Sequence, residues 1–216
     1  AAFILRKSLT RTMLLFLSKI PERIGYDSKR AGFLLTKKYP PPKNLHKVEY
    51  FLNLARMAGI EPKSVHYEFF ISEETMKESE KILEDHGVRR EEEYVVLNPG
   101  GNWDLKRWPA GNFAKLGDKI FNRFNTKVVL SGAEKDIGLC KEIYSLMKAK
   151  PVLLCGKTNL KTLAGVFKKA KYVISNDSGP MHLAIAVGAP TVALFGPTSP
   201  EITGPYGGGV YKVLHK

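Results

Sequence analysis

Only two cysteines occur in 216 residues, Cys140 and Cys155, and they lack the spacing of a metal-ligand set. Each lies in an apolar or amphipathic segment, which reads as a buried free thiol in a reducing compartment. Long hydrophobic runs are also missing. Arg6, Lys7, Arg11 and Lys19 interrupt the apolar stretch 1–20, and its longest uncharged run, Thr12 to Ser18, is too short to span a bilayer. No small-residue cleavage site follows, so neither a transmembrane helix nor a signal peptide is expected. Acidic residues are scarce: 21 Asp and Glu stand against 34 Lys and Arg, a net charge of +13. That excess fits an anionic partner (nucleic acid, a phospholipid surface or a phosphorylated substrate) or merely a well-solvated face. The absence of a zinc-ligand set, an RNP-type aromatic strand and a basic heptad helix argues against nucleic acid. No Asp-x-Asp metal motif, internal repeat or low-complexity stretch is present.

What is present suffices for a core, with 44% apolar and 10% aromatic residues. Residues 1–20 read as one amphipathic, core-facing helix, with a membrane-surface helix as the other reading. Short extended pieces are expected at Ile24–Tyr26 and Phe33–Thr36, and Pro40-Pro41-Pro42 forces a loop. Leu45–Ala58 and Glu73–Asp85 read as helices, with His66–Phe70 extended between them. The charged run Val88–Glu93 has no apolar face and is read as a linker, giving domains 1–88 and 89–216. Beyond it strands and helices alternate: strands at 94–97, 127–131 and 152–154, helices at 110–122, from 132 to 147, and at 160–170. This is the signature of parallel βαβ units in a doubly wound α/β sheet.

The stretch Tyr172–Pro200, YVISNDSGPMHLAIAVGAPTVALFGPTSP, organises the rest. A buried strand breaks at Asn176–Pro180, where Ser178 suits an N-cap and Pro180 a first helical position. A short helix ends at Gly188, and Thr191–Phe195 is the next strand. Such a unit aims backbone N–H groups and a positive helix end at the carboxyl edge of the sheet, where anions bind. Asp177 and His182 stand beside that spot, although both also admit plain structural roles. Three other strand ends share the rim. NPGGNWDLKRWP offers close backbone approach at Gly100 and Gly101, with Asn102 beside them, and a mobile cation at Lys106. Trp108-Pro109 reads as packing more readily than as stacking on a base. SGAEKD carries Glu134, and CGKTNL carries Thr158.

These motifs resemble those of the bacterial heptosyltransferases, glycosyltransferase family 9. DSGPMHLAIAVGAPTVALFGPT is similar to the family's D-[ST]-G-x-x-H-x-A turn with its following G-x-P-T strand. NPGGNWDLKRWP is similar to the family's lysine loop, and IPERIGY to a segment of its first domain. The resemblance implies a GT-B fold of two Rossmann-like domains, the amino-terminal one incomplete here, and a carboxyl-terminal domain that binds a nucleotide sugar. It also implies inverting transfer of heptose from ADP-heptose to the inner core of lipopolysaccharide, a phosphorylated lipid A/Kdo-type acceptor. No cofactor is implied, since the ADP-sugar is a substrate. Lys106, the Ser178-Gly179 amides and a helix dipole would meet the leaving diphosphate in place of a metal. By the same resemblance Lys106 contacts the diphosphate, Glu134 the ribose, the backbone near Thr158 the adenine, and Asp177, Ser178, Gly179 and His182 the diphosphate and sugar. Arg30, Lys37 and Lys38 are candidates for the acceptor. The expected place is the cytoplasm, with peripheral attachment to the inner membrane.

The sequence departs from the family in its first half. No aspartate in 1–85 matches the glycine-rich turn that carries the family's catalytic base, so no base is assigned. The chain looks truncated at both ends, a fragment or a relic, for which donor binding with little turnover is expected. Two rival readings are a sugar-nucleotide 2-epimerase, which also has a D-S-G turn but follows it with acidic residues, and a non-catalytic nucleotide- or membrane-binding module.

Overall fold

The structure is a computed structural model that describes residues 1–216, and the chain divides into two compact units, Ala1–Val65 and His66–Lys216. In the first unit β1 (Ala2–Ile4) leads to α1 (Leu9–Leu17), β2 (Arg23–Tyr26), a 3-10 turn at Gly32–Leu34, β3 (Lys37–Tyr39) and α2 (Lys47–Met57). The three strands are parallel in the order β1-β2-β3. A small core forms where Ile24, Tyr26 and Leu54 are buried together. The Tyr26 hydroxyl donates to Tyr50 O at 2.6 Å, so α2 is held to β2 by a bond as well as by packing.

Two expectations for this unit are corrected. Residues 1–20 are a strand followed by a helix, because Ser8 caps the helix by accepting from Arg11 N and leaves Ala2–Ile4 free to pair with β2. The helix is not core-facing here: Leu14 and Leu17 are 59% and 66% exposed, and Thr12 is its one buried residue. The extended piece at Phe33–Thr36 begins instead as the 3-10 turn, with β3 following it.

The second unit contains α3 (Glu73–Asp85), β4 (Tyr94–Asn98), α4 (Ala110–Phe124), β5 (Lys127–Leu130), α5 (Ile137–Leu146), β6 (Val152–Leu153), α6 (Leu160–Lys169), β7 (Tyr172–Asn176), α7 (Gly179–Ala186), β8 (Thr191–Phe195), α8 (Pro200–Thr203) and β9 (Tyr211–His215). Its sheet is wholly parallel in the order β6-β5-β4-β7-β8-β9, so the winding reverses between β4 and β7. Alternate residues of each strand serve opposite faces. Val96, Val129 and Val173 join Leu163, Phe167 and Leu183 in one core cluster. Val95, Leu97, Val128 and Leu130 join Phe113 and Ile143 in the other. The near-continuous apolar runs of β4 and β7 follow from this coverage of both faces. Strand β9 went unrecognised in the sequence because it is an edge strand with four of its five residues exposed. No helix is long and apolar enough to cross a membrane.

The expected division after Val88 is also corrected. Helix α3 belongs to the second unit, where Ser79 Oγ donates to Thr75 O and lies 2.9 Å from Thr162 O of α6. The charged run is no linker either. Val88 is buried, while Glu92 and Glu93 pair with Lys127 and Lys171 at 2.8 and 2.6 Å. Charges that looked solvated by periodicity are neutralised by partners distant in sequence. The α3–α6 contact is tight at Gly165, where an added Cβ would stand 2.7 Å from Ser79 Cβ and nearer still to its bonded hydroxyl. Gly165→Ala is expected to destabilise the chain by about 1–3 kcal/mol through overpacking, read as a lower urea midpoint with an unchanged slope.

Candidate nucleotide-binding site

The carboxyl ends of β4 and β7 flank the point where the sheet's winding reverses, the place where open α/β sheets bind ligands. The loop after β4 carries Gly100, Gly101, Asn102 and Lys106, and the turn after β7 carries Asp177, Ser178 and Gly179. Lys106 Nζ lies 2.6 Å from Asp177 Oδ2, which also accepts from Thr198 Oγ1 at 2.7 Å. The lysine and the residue that precedes the helix N-cap therefore meet on one rim of the sheet. Asp177 is 5% exposed, and its charge is matched by the ammonium it holds.

Ser178 is the N-cap residue of α7, but its side chain makes no capping bond and sits 3.2 Å from Ser175 Oγ instead. The expected side-chain cap is thereby corrected: no side chain caps the helix start. A Cβ added at Gly179 would meet nothing within 4 Å, so that start faces open space. Open amides at a positive helix end favour an anion. His182, one turn in, sets its ring edge-on to Tyr67, with centroids 5.7 Å apart.

The other two loops adjoin. Glu134 lies in a 3-10 turn, Glu134–Asp136, after β5 and is exposed. Its neighbour Lys135 donates to Asn102 Oδ1 at 3.1 Å, which links the turn to the lysine loop. The loop after β6 is tied in by Gly156 N, which donates to Gly132 O at 2.9 Å. Gly156 needs to be glycine: its φ is +75°, and a Cβ would stand 2.8 Å from Ile137 Cδ1. Thr158 follows, with a buried hydroxyl that has no hydrogen-bond partner.

Four supporting residues were not legible as site residues. Asn176 is fully buried; its amide donates to Pro99 O at 2.7 Å and accepts from Trp108 N at 3.2 Å, clamping both ends of the lysine loop. Thr198 holds Asp177, while Arg107 and Asp136 pair across the two loops at 3.5 Å. The one signal in the sequence was their place inside the loops already singled out. Trp108 packs edge-on against Phe113, as the packing reading has it, whereas Trp103 is exposed with Lys106 Nζ 5.7 Å from its ring centroid. Lys106 and Asn176 also wall a cavity of about 460 Å³, but its other walls are largely apolar (Trp108, Leu194, Phe195 and Leu214 among them) and it includes neither Gly101, Glu134 nor Ser178.

Of the acceptor candidates in the first unit, Lys37 is paired with Glu22 at 2.8 Å, while Arg30 and Lys38 are exposed. Cys140 and Cys155 are buried free thiols; a hydrogen bond with Cys155, together with burial, pushes the Cys140 thiol up from its ordinary range.

The sequence model of the family described as "Glycosyltransferase family 9 (heptosyltransferase)" matches residues 1–215. Lipopolysaccharide heptosyltransferase 2 of Salmonella typhimurium is 29% identical over 215 residues, covering 94% of this chain and 62% of that protein. The crystal structure of a glycosyl transferase family 9 protein from Veillonella parvula superimposes with a TM-score of 0.89 at 28% identity, covering 98% of this chain and 61% of that one. The ADP-heptose lipopolysaccharide heptosyltransferase II of E. coli gives a TM-score of 0.84 at 27% identity, covering 99% and 67%. The chain thus spans about three fifths of the curated relative's length. The match sets aside the 2-epimerase reading.

Asn176→Ala leaves Pro99 O and Trp108 N without their partner in a buried site. It is expected to cost about 1–3 kcal/mol of stability and to speed amide exchange at Trp108, measured by hydrogen exchange.

Proposed function

Because the chain belongs to glycosyltransferase family 9, the heptosyltransferases, we propose that its second unit holds the ADP end of an ADP-heptose donor. The whole protein would then transfer the heptose, with inversion, to the inner core of lipopolysaccharide at the cytoplasmic face of the inner membrane. The observation that carries this reading is the meeting of Lys106 with the uncapped start of α7 at the sheet's reversal point.

The chemistry follows from charge. When an acceptor hydroxyl oxygen attacks the anomeric carbon, the bond to the diphosphate oxygen breaks and its electron pair leaves with ADP. Preformed donors aimed at that oxygen lower the barrier more than mobile water can. Lys106 supplies a point charge, and the Gly179 end of α7 supplies amides and a partial positive charge. Asp177 keeps the ammonium at the rim, and Thr198 shares the carboxylate's remaining capacity. In this reading Glu134 accepts from the ribose hydroxyls, and the backbone near Thr158 borders the adenine. The leaving charge is met without a divalent cation. No residue is assigned as the base that takes the acceptor's proton.

The charge of the first unit supports an acidic, phosphorylated acceptor there. It holds thirteen Lys and Arg against four Asp and Glu, while the second unit holds twenty-one against seventeen. Arg30, Lys37 and Lys38 remain the proposed contacts, with Lys37 having to leave Glu22 to make one.

Isothermal calorimetry with ADP tests the donor site. Lys106→Ala is expected to weaken binding roughly ten- to hundredfold, the loss of one charge-assisted bond, and chelation with EDTA is expected to leave the wild-type affinity unchanged. Binding that survives both Lys106→Ala and Asp177→Ala at full strength would sink the assignment.

A further inference from the structure

Arg107 follows Lys106, is 28% exposed at its side chain, and turns all three guanidinium nitrogens to protein groups. Nε and Nη2 both donate to Gly101 O, at 3.2 and 2.9 Å, and Nη1 meets Asp104 Oδ1 at 2.8 Å. Nη2 also lies 3.5 Å from Asp136 Oδ1. One side chain thus closes the segment from Gly101 to Lys106 on itself and ties it to the turn that bears Glu134.

The far end of this tie is itself fixed. Asp136 is 5% exposed and accepts from Ala133 N at 3.1 Å through Oδ2, while Oδ1 has no hydrogen bond and faces the guanidinium. Glycines make room for it: a Cβ at Gly100 would stand 2.6 Å from Asp136 Oδ2, and one at Gly132 would stand 3.1 Å from Asp136 Cβ. A buried carboxylate at that place needs an opposite charge, and only a planar fork can supply it while also making two bonds to one carbonyl.

We infer that Arg107 is a positioning residue: by fixing the loop it holds Lys106 ready, and so sets the site's preference for a nucleoside diphosphate over a monophosphate. The inference rests on the reading that Lys106 meets the diphosphate. Holding a cation in place before binding removes an ordering cost that a loose loop would impose at the moment the second phosphate arrives. With Lys106 assigned to the second phosphate, a monophosphate ends short of that cation and gains nothing from the order.

Calorimetry on the whole chain with ADP and with AMP tests this. The wild type is expected to prefer ADP, and Lys106→Ala to abolish the preference. Arg107→Gln is expected to lower it roughly tenfold, with AMP affinity changing far less than ADP affinity, and to leave no preference to lose in the Lys106→Ala background. Arg107→Lys restores the charge beside Asp136 but not the double bond to Gly101 O, so it should recover little. An Arg107→Gln variant that keeps the full preference, or loses ADP and AMP affinity alike, overturns the inference, as does full rescue by lysine. Should that variant fail to fold, Asp136→Asn, which keeps the side chain's size, must lower the preference; an unchanged preference there also overturns it. A wild type that does not distinguish ADP from AMP, or a Lys106→Ala variant that still does, overturns the donor-site reading instead.

Discussion

The ion pair between Lys106 and Asp177 joins the two halves of the second unit's sheet at the point where its winding reverses. Each partner explains the other. A carboxylate 5% exposed at the end of a buried strand would be costly alone, and a lysine on an eleven-residue loop would wander without an anchor. Together they place a cation, already partly desolvated, beside uncapped helix amides. The loop, the strand end and the helix start depend on that meeting, and the proposed chemistry of the rim requires positive charge held where an anion would arrive.

Preorganisation extends outward from the pair in layers. Asn176 clamps the ends of the lysine loop, Arg107 closes its middle, and Asp136 anchors Arg107 to the neighbouring turn. Thr198 reaches across from the end of β8 to share Asp177. None of these side chains has to touch a ligand to matter. Each removes freedom from a group proposed to do so, and the two glycines around Asp136 leave room for its carboxylate to sit so close to the backbone.

The second unit was legible because its physics is local. Buried parallel strands such as Tyr94–Asn98 and Thr191–Phe195 are short apolar runs each followed by glycine and proline, and both can be seen in the letters. The meeting of Gly100, Lys106, Asp177 and Gly179 followed from the rule that strand ends share a rim. The failures lie where partners are remote. Val88–Glu93 looked solvated, yet Glu92 and Glu93 find Lys127 and Lys171 far along the chain. Residues 1–20 carry an apolar pattern that fits a helix, and only pairing with β2 makes Ala2–Ile4 a strand. Asn176, Arg107 and Asp136 were invisible for the same reason: a polar residue's role depends on which backbone atoms the fold sets beside it.

The distribution of charge distinguishes the two tasks that the proposed reaction sets. The second unit is nearly balanced, with twenty-one basic against seventeen acidic residues, and its proposed anion site would work through a few fixed groups at short range. Such groups lose little to salt, because Lys106 is largely shielded from water. The first unit carries thirteen basic against four acidic residues, many of them exposed, and would act through a broad field instead. A field of that kind attracts a bulky polyanion from a distance but fixes no single atom, and salt weakens it. A small nucleotide needs the first arrangement, and a phosphorylated glycolipid is better served by the second. The unequal spread of the +13 charge therefore fits the proposed pairing of one small and one large anionic substrate.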